Sequence, residues 1–240
     1  MSRYRWSTKL EAGLVHVFTG LGIVCGLFAL REGVAGRVEQ AFMWLGIAFF
    51  IDGVDGYFAR RVKVWDVLPR FSGETLDLVI DYVTYVFIPA ILLLEAKVLT
   101  GVWGHVVAGL ICLSSLYHFC DEGSKSEDNC FVGFPAVWNI VAFYIFAFQP
   151  PTAWTYAILL FCVAMTFVRF KWVHPMRVLA LRGVTLAATM AWGFAAFWAV
   201  WKGFPANGYA KAVLLLVAIY AIALSIYFGR DGWSPFASDE

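Results

Sequence analysis

The sequence predicts an all-α fold, a polytopic integral membrane bundle of about eight transmembrane helices. Of its 240 residues, 61% are hydrophobic and 15% are charged, and the mean hydropathy is +0.74. A soluble domain of average composition is nearer half apolar and about a quarter charged, so we expect apolar surface to face lipid. The net charge of +1 gives no indication of nucleic-acid binding.

Apolar runs of about 17–25 residues have the length of a spanning helix. The predicted spans cover about residues 10–30, 38–61, 73–96, 102–120, 133–148, 153–170, 179–201 and 209–228. Residues 1–9 are basic and aromatic, and we interpret them as an interfacial segment that leads into the first span. Because no linker or low-complexity tract interrupts the chain, we expect residues 1–240 to form a single membrane-embedded domain.

The distribution of basic residues predicts the orientation. If the N-terminus is cytoplasmic, most of the 18 lysines and arginines fall in loops on the cytoplasmic side. Cytoplasmic loops of membrane proteins carry an excess of such residues. Both termini are therefore predicted to be cytoplasmic, as are the adjoining ends of the second and third spans.

The most informative stretch is residues 52–81, where four aspartates lie in an otherwise apolar sequence. Asp52 and Asp55 are spaced i, i+3 near the end of the second span, and Asp77 and Asp81 are spaced i, i+4 near the start of the third. Each spacing places both carboxylates on one face of a helix. Four clustered carboxylates repel one another unless cations lie between them. Mg²⁺ and Mn²⁺ prefer oxygen ligands of this kind, so the pattern predicts a divalent-metal site.

Three small residues, Gly56, Ala59 and Gly73, lie between the aspartates. Small residues allow a flat base and a diphosphate to lie against the helix backbone. Tight packing between membrane helices is the alternative explanation for them. For the aspartates, the alternative is ion pairing with the basic residues within 60–63, which explains the charge but not the glycines.

This stretch resembles the signature of the CDP-alcohol phosphatidyltransferases, D-x2-D-G-x2-A-R-x(n)-G-x3-D-x3-D, and every fixed position of that pattern is filled. The spacer, residues 61–72, is longer than in the common form. With the sequence Tyr-Val-Thr-Tyr-Val that follows the last aspartate, it resembles the phosphatidylcholine synthase branch. The resemblance implies a bacterial inner-membrane enzyme that transfers the phosphatidyl group of CDP-diacylglycerol to choline and releases CMP.

The resemblance also implies a role for each residue of the signature. The four aspartates would hold two Mn²⁺ or Mg²⁺ ions that grip the diphosphate, and Asp81 would be the general base that accepts the proton of the attacking alcohol. The implied CDP-binding residues are Asp55, Gly56, Ala59, Arg60 and Gly73. Many members of the superfamily are dimers, which makes a homodimer an expectation here as well.

The choline headgroup carries a quaternary ammonium, which cannot donate a hydrogen bond and is commonly bound by aromatic faces. Aromatic residues follow the last aspartate, end the fourth span and open the fifth. We predict a headgroup site built from some of Tyr82, Tyr85, Tyr117, Trp138 and Asn139. In a chain that is 18% aromatic, a place in the core or in an interfacial belt remains the alternative for each aromatic residue.

A second polar cluster follows the sixth span, at its predicted cytoplasmic end. It comprises Arg169, Lys171, His174 and Arg177. Its basic residues are expected either to bind the phosphate of the lipid donor or to act as an anchor on the cytoplasmic side.

The first span also contains polar residues. His16 and Thr19, followed by Gly20 and Gly22, are candidates to line the nucleotide cleft. The alternative for His16 is a structural role, because a lone histidine within a membrane is often simply paired.

Two other functions remain open from the sequence. A phosphatidylserine synthase would use the same chemistry with serine as acceptor, but it needs a cationic partner for the serine carboxylate. A cation transporter with intramembrane carboxylates is the second alternative. Such transporters often have inverted repeats and broken helices at the midplane, whereas the aspartates here lie at helix ends and no repeat is visible.

Overall fold

The computed structural model describes residues 5–121, 123, 131–168, 170–172 and 181–229. Within this part of the chain, six helical segments are long and apolar enough to cross a membrane, and two shorter apolar helices accompany them. The prediction of an all-α polytopic membrane protein is thereby confirmed. The chain divides into two compact units, Met1–Lys97 and Val98–Glu240, and each is described by itself. The expectation of a single domain stays a prediction.

The first unit contains three spanning segments, and they match the first three predicted spans to within a few residues. Its elements are α1 (Trp6–Val34), α2 (Val38–Val62), α3 (Val64–Val67), α4 (Gly73–Asp81), the π-helix π1 (Tyr82–Phe87) and α5 (Ile88–Glu95). The third segment is the continuous run α4–π1–α5. Because α1 begins at Trp6, it includes part of the segment predicted to be interfacial.

A face of small residues allows α1 to pack closely along the third segment. A Cβ atom added to Gly22 would lie 2.9 Å from Ile80 Cγ2, and one added to Gly33 would lie 2.0 Å from Leu92 Cδ2. Both glycines are buried. Since lipid provides no hydrophobic drive between helices, close van der Waals packing of this kind is what holds membrane helices together. The packing fixes α1 against the segment that carries the second pair of aspartates.

The linker between the two aspartate pairs is folded. Val64 and Val67 of α3 form a buried cluster with Ala12 of α1. The side chain of Ser72 then caps α4, because its Oγ accepts a hydrogen bond of 3.1 Å from the backbone N–H of Thr75. A serine cap satisfies one of the unpaired N–H groups at a helix start. The long spacer therefore sets where α4 begins.

A proline explains the irregular turn inside the third segment. Pro89 has no N–H, and in an α-helix its ring would clash with the carbonyl of Tyr85, four residues earlier. Residues 82–87 instead form π1, whose hydrogen bonds join residues five apart, as in the bond from Ile88 N–H to Val83 O. We call residues 82–87 the wide turn. It accommodates the proline without ending the helical segment.

The described residues of the second unit form three further helices long enough to span a membrane and two shorter apolar ones. Its elements are α6 (Gly101–Cys120), β1 (Phe131–Val132), α7 (Trp138–Phe148), α8 (Thr152–Thr166), β2 (Lys171–Trp172), α9 (Arg182–Lys202) and α10 (Gly208–Gly229). Helices α6, α9 and α10 are the long ones, and they match the predicted fourth, seventh and eighth spans to within a few residues.

The predicted fifth span, 133–148, begins too early. Its first residues are not helical, since Gly133 and Ala136 have φ angles of +80° and +54° and Pro135 lies between them. Left-handed backbone cannot continue an α-helix, so α7 begins only at Trp138. Just before it, β1 pairs antiparallel with β2, with Phe131 opposite Trp172. This two-residue ladder was not predicted.

Candidate active site

The structure brings the four aspartates to one pocket. Asp52 and Asp55 lie near the end of α2, and Asp77 and Asp81 lie on α4. The pocket is lined by Thr19, Gly22, Ala48, Ile51, Asp52, Asp55, Asp77, Ile80, Asp81 and Thr84. Every lining residue belongs to the first unit. Of the α1 residues considered for the nucleotide cleft, Thr19 and Gly22 line this pocket, whereas His16 and Gly20 are not among its lining residues. Their contact with a nucleotide stays a prediction.

Three of the carboxylates lie close enough to share an ion. Asp52, Asp55 and Asp77 each offer a carboxylate oxygen, and these oxygens lie within 4.8 Å of one another. Asp55 is buried, and the other two are partly buried. Like charges this close, in apolar surroundings, are strongly unfavourable without a compensating cation. An all-oxygen donor set of this kind fits a hard divalent cation.

Tyr85 holds one of these carboxylates. Its hydroxyl donates a hydrogen bond of 2.5 Å to Oδ2 of Asp52, and only 8% of the tyrosine is exposed. Hydrogen bonds from O–H groups to charged oxygens have lengths of about 2.5–2.7 Å. The sequence placed Tyr85 near the site but did not indicate this bond. The signal that could have revealed it is Pro89, because the proline accounts for the wide turn that carries Tyr85.

Arg60 and Arg61, at the end of α2, lie close to residues one turn earlier in the same helix. Arg61 Nη1 donates a hydrogen bond of 3.2 Å to the hydroxyl of Tyr57. The guanidinium of Arg60 lies back along the helix, so that a Cβ atom on Gly56 would be 3.2 Å from its Nη1. Gly56 therefore borders a flexible cationic side chain, and its missing side chain leaves room beside that cation.

Gly73 and His16 meet where α4 begins. A Cβ atom on Gly73 would lie 3.0 Å from Cε1 of His16. The imidazole packs against Phe71 with a ring-centroid distance of 4.5 Å. Nε2 of His16 is buried and has no hydrogen-bond partner among the described residues. The glycine thus allows close packing on the histidine, and the suggested pairing of His16 is not seen at this nitrogen.

Curated relatives of the chain carry one name. It is 41% identical to the phosphatidylcholine synthase of Pseudomonas aeruginosa over 184 residues, which is 77% of each chain. It is 40% identical to that of Bradyrhizobium diazoefficiens over 188 residues, 78% of this chain and 70% of the relative. It is 35% identical to that of Rhizobium meliloti over 219 residues, 91% and 89%. No family model matches the chain.

The chain belongs to the phosphatidylcholine synthase family. This membership confirms the resemblance drawn from the aspartate signature and its long spacer. It favours neither the phosphatidylserine synthase nor the transporter alternative.

Two of the residues predicted to bind the choline headgroup lie in the first unit. Tyr82 and Tyr85 are both in the wide turn directly after Asp81. Tyr82 is partly buried, whereas Tyr85 is buried and its hydroxyl is bound to Asp52. A role for Tyr85 at the headgroup would therefore use its ring rather than its hydroxyl.

The other three residues predicted to bind the headgroup lie in the second unit. Tyr117 is 51% exposed. Trp138 is only 1% exposed, and its Nε1 donates a hydrogen bond of 2.7 Å to Oγ of Ser115. Asn139 is buried, and its Oδ1 accepts from the N–H of Ile140. Of the three, Tyr117 has the most surface accessible to a ligand.

The predicted lipid-phosphate residues fall mainly outside the described residues. Arg169, His174 and Arg177 are not among them, and Lys171 is described only through its backbone in β2. Their assignment stays a prediction.

Proposed function

We propose that the chain transfers the phosphatidyl group of CDP-diacylglycerol to choline, forming phosphatidylcholine and CMP. The observation that carries this proposal is the meeting of three carboxylate oxygens, from Asp52, Asp55 and Asp77, within 4.8 Å. Membership of the phosphatidylcholine synthase family gives the reaction its donor and acceptor. Phosphoryl transfer depends mainly on positioning and on charge stabilisation, which a pocket of this kind supplies.

The metal site that we propose takes two Mn²⁺ or Mg²⁺ ions, held by the four aspartates. When bound, such ions neutralise charge on the diphosphate and on the departing phosphate. The described donor set supports a divalent cation in general. The choice between the two metals and the number of ions come from the family resemblance.

The residues of the chain would act as follows. Asp81 accepts the hydroxyl proton of choline, and the choline oxygen attacks the β-phosphorus of CDP-diacylglycerol. The bond from that phosphorus to the bridging oxygen breaks, and CMP leaves with the bridging oxygen. Asp81 lines the same pocket as the metal ligands, which supports its assignment as the general base.

The nucleotide would lie along the end of α2 and the start of α4. We assign its binding to Asp55, Gly56, Ala59, Arg60 and Gly73. The space beside Gly56, next to the guanidinium of Arg60, supports a phosphate contact there. At Gly73 the neighbour is His16, so this glycine would act by holding the histidine close.

Choline would be bound through aromatic faces, and the candidates remain the set predicted from the sequence, Tyr82, Tyr85, Tyr117, Trp138 and Asn139. The basic set Arg169, Lys171, His174 and Arg177 would bind the lipid phosphate. We further propose that both termini and the pocket face the cytoplasm of a bacterial inner membrane, and that the protein is a homodimer. Most basic residues then lie in cytoplasmic loops.

The reaction is tested with purified full-length protein in lipid nanodiscs, supplied with CDP-diacylglycerol and labelled choline or labelled serine. We expect choline to enter lipid with equimolar release of CMP, in the presence of Mn²⁺ or Mg²⁺ and not with excess EDTA. Incorporation of serine alone would establish a phosphatidylserine synthase. Absence of CMP release under every metal condition would overturn the transferase assignment.

Two variants test the general base and the headgroup site separately. Asp81→Asn should abolish turnover while CDP-diacylglycerol still binds, and normal turnover in this variant would remove its role as base. Tyr82→Ala should raise KM for choline and leave KM for the donor unchanged. Tyr209→Ala is the matched control, because that tyrosine is 88% exposed on α10. If the wild type, Tyr82→Ala and Tyr209→Ala have equal KM values for choline, Tyr82 is not part of the headgroup site.

A further inference from the structure

The bond between Tyr85 and Asp52 joins two residues that are 33 positions apart. It connects the wide turn to α2, within the first unit. Tyr85 is buried, and its ring lies 6.0 Å from that of Phe49, so the side chain is held on both its ring and its hydroxyl. A buried hydroxyl that meets a carboxylate in this way fixes the direction in which that carboxylate points.

The wide turn brings Tyr85 closer to the helix face that carries Asp81, and thus toward the pocket that contains Asp52. In an α-helix, four residues make slightly more than one turn, so successive i, i+4 positions drift around the axis. In a π-helix more residues complete a turn. The rotation about the helix axis that separates Asp81 from Tyr85 is therefore smaller. Within the wide turn, Oγ1 of Thr84 donates a hydrogen bond of 2.9 Å to the carbonyl of Ile80, a type of bond that often bends a helix. Pro89 disfavours the regular α-helical alternative, because its ring would clash with the carbonyl of Tyr85.

Asp52 can accept this bond and still bind a cation. An ionised carboxylate has about four lone-pair sites on its two oxygens, and the hydroxyl of Tyr85 occupies one of them on Oδ2. Carboxylates that bind metals are commonly hydrogen-bonded by a neighbouring group that orients them, and loss of that group typically costs about 10–100-fold in metal affinity or activity.

We propose that Tyr85 is a positioning residue for Asp52: its hydroxyl, carried by the wide turn that precedes Pro89, orients the Asp52 carboxylate toward a divalent cation shared with Asp55 and Asp77. This inference rests on the proposed function, because it needs the carboxylate cluster to bind a metal. It assigns to the hydroxyl of Tyr85 a role that is separate from any contact between its ring and choline.

The substitution Tyr85→Phe separates the two roles. It removes the hydroxyl and keeps the aromatic face, so a contact between the ring and a quaternary ammonium would persist. Tyr144→Phe is the matched control. Tyr144 also belongs to a helix, α7, and its hydroxyl also donates a hydrogen bond. The acceptor, at 2.8 Å, is the backbone carbonyl of Leu214 in the second unit.

The measurement is the binding of Mn²⁺ alone to purified full-length protein in nanodiscs, followed by the electron paramagnetic resonance signal of unbound Mn²⁺. We expect Tyr85→Phe to raise the Kd for Mn²⁺ about 10-fold, with KM for choline unchanged, whereas Tyr144→Phe binds as the wild type does. Asp52→Asn should weaken binding further. The double variant Tyr85→Phe, Asp52→Asn should bind no more weakly than Asp52→Asn, because the hydroxyl then has no carboxylate to orient.

Each other outcome has a definite meaning. If Tyr85→Phe binds Mn²⁺ within twofold of the wild type while Asp52→Asn binds weakly, the inference is overturned and the proposed metal site stands. A lower thermal stability without a change in Kd would likewise leave Tyr85 with a structural role only. A raised KM for choline with normal Mn²⁺ binding would assign Tyr85 to the headgroup instead. If the wild type itself binds no Mn²⁺, the proposed function fails rather than this inference alone.

Discussion

The two units use buried polar groups in different ways. In the first unit, a tyrosine hydroxyl bonds to a carboxylate in a pocket, Tyr85 to Asp52. In the second, the hydroxyl of Tyr144 donates to a backbone carbonyl at 2.8 Å and accepts from Nε1 of Trp192 at 3.1 Å. Thr185 and Tyr220 share a further bond of 2.8 Å between α9 and α10. The second unit thus uses such groups to join helices.

The difference shows how a polar residue within a membrane protein can be interpreted. Hydrogen bonds between membrane helices contribute about 0.6 kcal/mol each on average, so their loss mainly affects stability. Ionisable residues within the membrane are expensive, and they mark functional sites. The type of partner, carboxylate or backbone carbonyl, therefore indicates whether a substitution should affect chemistry or packing.

The largest effect is expected at a proposed metal ligand. Asp77→Asn should lower turnover at least about 100-fold, because loss of even an outer-shell partner costs about 10–100-fold. The thermal unfolding temperature measured in EDTA should not fall, since the substitution removes one of several repelling charges. A lower unfolding temperature with unchanged turnover would contradict the distinction between the units.

A substitution on α1 should affect both packing and turnover. Gly22→Ala places a Cβ atom 2.9 Å from Ile80, beside the pocket, and such overpacking costs about 1–3 kcal/mol. Thermal unfolding and the turnover assay should both register the change. The matched control is Gly20→Ala, because a Cβ atom there meets nothing within 4 Å; there we expect equal or slightly greater stability. Similar losses in the two variants would argue against close packing as the cause.

The cap of α4 should have an intermediate effect. Ser72→Ala removes the acceptor for the Thr75 N–H, and loss of a serine cap costs about 1 kcal/mol. We expect a lower thermal unfolding temperature and a modest loss of turnover, since α4 carries two aspartates. Ser72→Asp keeps an acceptor and should retain both properties. If Ser72→Ala and Ser72→Asp behave alike, the cap does not set the position of α4.

The smallest effect is expected in the second unit. Tyr144→Phe should lower stability by about 0.6 kcal/mol, the average for a hydrogen bond between membrane helices, and turnover should remain at the wild-type value. The two quantities are measured by thermal unfolding and by CMP release. A large loss of turnover in this variant would mean that hydrogen bonds in the second unit also affect catalysis, which would contradict the difference between the two units.

Six of the eight predicted spans match long apolar helices, because apolar length is a direct physical requirement of the bilayer. The predicted fifth and sixth spans correspond to the shorter helices α7 and α8, and α8 ends at Thr166 rather than near residue 170. The sequence also indicated the convergence of the aspartates, since their spacing gives each pair one helix face. The late start of α7 was missed because the left-handed backbone at Ala136 has no apolar signature. The bond from Tyr85 to Asp52 was missed for a related reason. It depends on a wide turn, which hydrophobic periodicity does not reveal.

The headgroup residues show where sequence reasoning stops. Trp138 is predicted at the headgroup because it is an aromatic residue at the opening of the fifth predicted span, and the structure shows it 1% exposed, with its indole N–H donated to Ser115. Aromatic residues serve equally well in cores and in binding sites. Only the surroundings of each side chain separate these uses, and a sequence does not contain them.

The glycine face of α1 has a consequence for how this protein can change during evolution. Its outward positions carry exposed side chains such as Leu14 and Leu27, which lipid tolerates in many sizes. At Gly22 and Gly33, however, an added Cβ atom would lie 2.9 Å from Ile80 and 2.0 Å from Leu92, so a side chain fits only if these neighbours shift. A saturation mutagenesis library should therefore show a narrow stripe along this helix where size alone is selected, beside a broad surface that drifts freely among apolar residues.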